Sequence, residues 1–187
     1  MDTKSLLIET ATELFQQKGY KSVGINEILR ACDITKGALY HHFPNGKDEL
    51  LIACLNSMKE AITGDIKDIF SRHASALAAF QATLDKLAAH FEQDAQLLAG
   101  HTFSSIVSEM ATLSEPIREA CSSLYTSIQD IYAEKLVADG FTSIAAHSIA
   151  VLVTASIEGS MMLSLTQSSS EPLKVVSRAL PNLLKEF

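Results

Sequence analysis

Apolar side chains recur at three- and four-residue intervals along almost the whole of this 187-residue chain, and no stretch alternates apolar and polar residues one by one. That spacing gathers apolar groups on one side of a helix, so an all-α fold is expected. Eight glycines and 6% aromatic residues also disfavour an all-β fold. With 47% hydrophobic residues the chain is too apolar for disorder, and it is long enough to bury a sizeable core.

The punctuation divides the helices unevenly. Leu7, Ala11, Leu14 and Phe15 form one face of a first helix that ends at Gly19. Ile25, Ile28, Leu29 and Cys32 make a short second helix, which Asp33-Ile34 interrupts. Thr35 is a suitable N-cap for a third, very short helix carrying Leu39 and Phe43 inward. Pro44-Asn45-Gly46 ends that helix, and a longer one starts near Lys47 with Leu51, Leu55, Met58 and Ile62 along one side. Residues 1–46 therefore read as one small domain and 47–187 as a second.

The second domain has longer helices. Leu77, Phe80, Leu84, Leu87 and Phe91 form an apolar stripe, and His101, Phe103, Ile106, Val107 and Met110 suggest one or two short helices. Pro116 suits the first turn of a long helix reaching about Asp139, where Gly140 stops it. Ser143 is placed to cap the next helix, which is apolar on more than one side. Pro172 opens the last.

Two short helices joined by a tight turn have the size of a helix-turn-helix, whose second helix enters the DNA major groove. With Leu39 and Phe43 inward, the third helix presents Lys36, Gly37, Ala38, Tyr40, His41 and His42, and Thr35 stands at its start. Small residues permit close backbone approach, while the polar ones suit phosphates and base edges. Lys47, beside the backbone N–H groups that open the fourth helix, suits a phosphate. The formal charge of −7 argues at first against a polyanion partner. Residues 14–47, however, hold five basic side chains against two acidic, so the excess of acid lies elsewhere.

The segments Lys18-Gly19-Tyr20 and Asn26-Glu27-Ile28, and above all the run from Thr35 to Phe43, resemble the DNA-binding half of the TetR family. Lys47-Asp48-Glu49-Leu50 resembles the next segment of that family. Phe43 to Lys47, Ser114 to Arg118, Ile157-Glu158-Gly159 and Glu171-Pro172-Leu173 resemble its LmrA/YxaF-like branch. The resemblance implies a three-helix helix-turn-helix domain followed by a helical domain for effector binding and dimerisation. It implies a homodimeric repressor of a palindromic operator, released by a small hydrophobic or aromatic molecule. The departures are Asp33 where glycine is common in the turn, Gly24 where Ser or Thr caps the second helix, and Ala38 for a commoner threonine. The competing class is an effector-binding dimer that has lost DNA binding.

Within the second domain, Met58, Ile62, Leu84, Leu87, Phe91, His101, Phe103, Val107, Met110, Tyr125 and Met161 are the candidate effector-pocket residues. Small residues at four-residue spacing, Ala155 with Gly159 and Ser156 with Ser160, allow close helix contact. With Leu124, Ile128, Ile131, Leu152 and Leu163 they form the candidate dimer face, paired as a four-helix bundle. No enzyme is expected, for the chain has no HExxH, GxSxG or Gly-rich phosphate loop. No metal site or cofactor is expected either, and three scattered cysteines fit a reducing, cytoplasmic setting. The apolar stretch 140–170 reads as a buried helix, not a membrane span, because no Lys or Arg anchors it.

Overall fold

The computed structural model describes residues 2–93 and 114–187. Among these residues it holds eight α-helices and no strand: α1 (Thr3–Lys18), α2 (Ile25–Cys32), α3 (Lys36–His42), α4 (Lys47–Arg72), α5 (Ala76–Gln93), α6 (Glu115–Ala138), α7 (Ser143–Gln167) and α8 (Glu171–Leu183). The last turns tighten into a short 3-10 helix, Leu184–Glu186. The chain divides into two compact units, whose described parts are residues 2–60 with 114–123, and 61–93 with 124–187.

In the first unit, α1, α2 and α3 pack on one another. Asp2 caps α1 by accepting from the Ser5 N–H, and Leu7, Ala11 and Phe15 point into the core. Ile28, Leu29 and Cys32 of α2 are buried, as are Leu39 and Phe43 around α3. Leu50, Leu51, Cys54 and Leu55 supply the wall from α4. Leu14 and Ile25, expected inward, are only half-buried.

The second unit holds the end of α4, most of α6, and α5, α7 and α8, with α8 against both α5 and α7. An aromatic cluster anchors its core. Phe70 stacks on Tyr132 with centroids 5.1 Å apart, and Phe80 meets both rings edge-on. Burial and the nearby Glu158 charge hold the Tyr132 hydroxyl protonated, well above its ordinary range. The Asp139 carboxylate accepts from the Ala76 N–H at the start of α5, and Lys135 donates to the His73 carbonyl. These two bonds fix the end of α6 to the turn before α5.

One boundary differs from the sequence expectation. Thr142, not Ser143, caps α7, because its extended backbone lets the hydroxyl accept from the Ala145 N–H. Ser170 precedes α8 but makes no cap; its hydroxyl donates to Glu92 instead.

The α7 helix is long and apolar enough, by length and composition, to cross a membrane, and a little under half of its apolar window is buried. Its two faces differ. Ala146, Ile149, Ala150, Val153, Ile157 and Met161 are buried within the unit. Ile144, Val151, Leu152, Met162 and Leu163 lie exposed.

Candidate nucleic-acid interface

The turn between α2 and α3 is built from backbone hydrogen bonds. The Ile34 N–H donates to the Leu29 carbonyl and the Asp33 N–H to the Arg30 carbonyl, with Asp33 itself left-handed at φ 53°. This is the Schellman arrangement, which ends a helix and turns the chain within two residues. Thr35 then accepts from the Ala38 N–H and starts α3. Asp33 does what glycine would do there, so the departure from the family pattern leaves the turn intact.

Leu39 is fully buried and Phe43 nearly so, which fixes the rotation of α3. Thr35, Lys36, Gly37, Tyr40 and His41 are consequently exposed, and Ala38 and His42 are half-buried. The Lys36 ammonium stands 5.8 Å from the centre of the Tyr40 ring. The rings of His41 and His42 meet edge-on at 5.1 Å. The bond from the Ser5 N–H leads in holding the Asp2 carboxyl below its usual range, and nearby His42 adds a smaller effect in the same direction.

The Tyr40 ring lies over Gly46, where a side chain would sit 3.5 Å from the ring edge, with Ile25 close by. Gly46 has φ +74°, and its carbonyl accepts from the Leu50 N–H at the start of α4. The left-handed backbone is what calls for glycine there, since a Cβ would meet the Tyr40 ring only at ordinary van der Waals distance. That is the need to which the PNG turn signal pointed. Lys21 and Arg30 are exposed as well; only the local count of cations drew attention to them.

Lys47 is placed differently from the rest. Its ammonium lies 3.9 Å from the centre of the Tyr20 ring and donates to the Tyr20 carbonyl.

The candidate effector residues are spread over both units. Met58 is buried in the first. Leu84, Phe91 and Met161 are buried in the second, where Ile62, Leu87 and Tyr125 are half-buried. His101, Phe103, Val107 and Met110 lie outside the described residues. Among the candidate dimer residues, Leu152, Ala155, Gly159 and Leu163 are exposed, and Ser156 is half-buried. Leu124, Ile128 and Ser160 are buried in their own chain and Ile131 is half-buried, because one side of α6 and of α7 is used for the unit's own core. Among the described residues no group of three or more His, Cys, Asp or Glu could hold a metal ion.

Comparison with known proteins places this geometry. Residues 7–54 match the model of the tetR family of bacterial regulatory proteins. Residues 76–179 match the C-terminal domain of LmrA/YxaF-like transcriptional regulators. The chain is 36% identical to the transcriptional regulator LmrA of Bacillus subtilis over 98% of its own length and 97% of that protein. It is 32% identical to the uncharacterised regulator YxaF of the same organism, over 99% and 96%. Among solved structures, E. coli NemR in its reduced form superposes with a TM-score of 0.84 at 20% identity, covering 97% and 96% of the two chains. A TetR regulator from Legionella pneumophila gives 0.80 at 20% identity, covering 98% and 97%.

Proposed function

Because the chain belongs to the TetR family of bacterial regulatory proteins, in its LmrA/YxaF-like branch, we propose that it is a homodimeric repressor that leaves its operator when a small molecule binds. It is a DNA-binding transcriptional regulator and not an enzyme. Residues 1–46 form the DNA-binding domain and 47–187 the domain for effector binding and dimerisation.

The observation that carries the reading is the outward face of α3. Leu39 and Phe43 hold the helix by its inner side, so Lys36, Gly37, Tyr40 and His41 stand outside, with Thr35, Ala38 and His42 at the margins. Those seven residues meet the operator, and Lys47 serves the same surface from the start of α4. Two such helices, one per protomer and about one DNA turn apart, read a palindrome. The exposed apolar face of α7, centred on Leu152, Ala155, Gly159 and Leu163, supports pairing with a second copy. Half-buried Ser156 shares that helix face, while Leu124, Ile128 and Ser160 are taken up by the unit's own core.

The effector is a small hydrophobic or aromatic molecule held by the helices of the second unit, with Ile62, Leu84, Leu87, Phe91, Tyr125 and Met161 among its contacts. Flexible methionines and apolar walls suit such ligands. It lowers DNA affinity by binding more tightly to a state in which the recognition helices are mis-spaced. The protein acts in the cytoplasm, where its DNA is.

A gel-shift titration with DNA flanking the protein's own gene tests this. Wild type is expected to bind, and Lys36→Ala and Tyr40→Ala to weaken binding. Absence of any shift, or indifference to both substitutions, favours the competing class of effector-binding dimer without DNA binding.

A further inference from the structure

The aromatic ring beneath Lys47 is itself held in place. Gly19, at φ 79°, ends α1 with its N–H on the Phe15 carbonyl and turns the chain out of the helix. Tyr20, the next residue, is buried, with its ring edge-on to that of fully buried Phe15 at 5.3 Å between centroids. The Tyr20 hydroxyl donates to Asp48 in the first turn of α4. Burial first, and the Asp48 bond second, push that hydroxyl above its ordinary range, so it stays a donor.

Lys47 meets Tyr20 at two points. Its ammonium lies 3.9 Å from the ring centre, and it donates to the Tyr20 carbonyl. The residue as a whole is half-buried. An ammonium carries three N–H donors, so a carbonyl and a phosphate oxygen can be served together. The ring attracts the cation as well, which narrows the positions open to it. A lysine without such a seat would give up its rotamer freedom only on meeting the DNA, at a cost to affinity.

We propose that Tyr20 is a positioning residue for operator binding. Its ring and carbonyl seat the Lys47 ammonium, and its hydroxyl holds the first turn of α4 through Asp48, so that Lys47 meets a DNA phosphate already ordered. The proposal rests on the reading of this unit as a DNA-binding domain with Lys47 on its operator surface. It gives a part in DNA binding to a buried residue that acts through Lys47.

A double-mutant cycle tests it, read by fluorescence anisotropy of a labelled duplex from the protein's own upstream region over a series of salt concentrations. Lys47→Met is expected to reduce the slope of log K against log salt by about 1.8, one phosphate contact from each protomer. Tyr20→Leu removes the ring and the hydroxyl and is expected to weaken binding about tenfold, because Lys47 must then be ordered on the DNA. In the Lys47→Met background the same change is expected to cost no further affinity. Tyr20→Phe keeps a ring under the ammonium and is expected to recover most of the loss. A Tyr20 that only supports the fold weakens binding equally in both backgrounds, and that equality overturns the proposal.

NMR of the unaltered protein decides the matter if Tyr20→Leu does not fold. A ring current shifts the protons beside a lysine ammonium upfield when it sits over an aromatic face. The Lys47 ε-protons are expected upfield in the free protein and still upfield with the duplex bound. Loss of that position on adding DNA means that Lys47 leaves the ring to reach its phosphate, which overturns the proposal. An unchanged salt slope in Lys47→Met overturns it too, while leaving the DNA-binding reading in place. If wild type binds no duplex, that reading falls and the proposal with it.

Discussion

Replacing Asp33 tests the turn that makes α2 and α3 a helix-turn-helix. Asp33 sits at φ 53°, ψ 44°, with its side chain exposed and its N–H bonded to the Arg30 carbonyl. A left-handed backbone costs an ordinary L-residue about 1–2 kcal/mol, less for Asp and Asn, and nothing for glycine. Asp33→Gly removes that strain but returns about 0.4–1 kcal/mol through the freer unfolded chain, so a gain of about 0.5 kcal/mol is expected. Asp33→Val adds a β-branched side chain where φ is positive and should cost about 2 kcal/mol. The span from Gly to Val is then about 2.5 kcal/mol, which for a chain of this size corresponds to about 5–10 °C in Tm. Asp33→Asn keeps the left-handed tolerance without the charge and should match wild type. Differential scanning calorimetry of the four proteins gives the order. If Val is as stable as Gly, or if Asn falls with Val, backbone handedness is not what the turn demands of this position.

Three further outcomes follow from the packing. Leu163→Glu, or Leu152→Glu, on the exposed face of α7 should convert a dimer to monomers in light scattering with helicity retained; an unchanged mass places the pairing surface elsewhere. Phe80→Ala removes a fully buried ring that meets both Phe70 and Tyr132, and should cost about 3–5 kcal/mol in urea unfolding. Glu92 accepts from Lys174 and Ser170, and the Lys174 bond leads in holding its carboxyl below the ordinary 4.5. A depressed folded value means the contribution is present above pH 4.5 and is lost as pH falls through the folded value. Glu92→Gln should therefore lower Tm at neutral pH, with the difference from wild type closing in acid. A gap independent of pH would refute the role of the charge.

Much of the first unit was legible because its signals are local. The apolar spacing of α2, the Thr35 cap and the PNG turn each act within four residues, and the structure follows all three. Once Leu39 and Phe43 are placed inward, the outer face of α3 follows from the helical repeat alone. Helix ends were less secure wherever two hydroxyls compete. Thr142 and Ser143 both suit an N-cap, and a shift of one residue is settled by backbone angles that no side-chain pattern encodes.

By itself, then, the sequence determined an all-α chain, the helix-turn-helix and the family to which it belongs. The rest depended on contacts between residues far apart. Nothing local in the sequence places Tyr20, 27 residues earlier, beneath the Lys47 ammonium. The apolar α7 reads as buried all round, yet Ser160 faces inward while Leu163 faces out, because its own unit, α8 included, covers only one side. Periodicity fixes which residues share a helix face. Only the packing of other elements decides whether that face meets the protein's own core, a second copy or solvent.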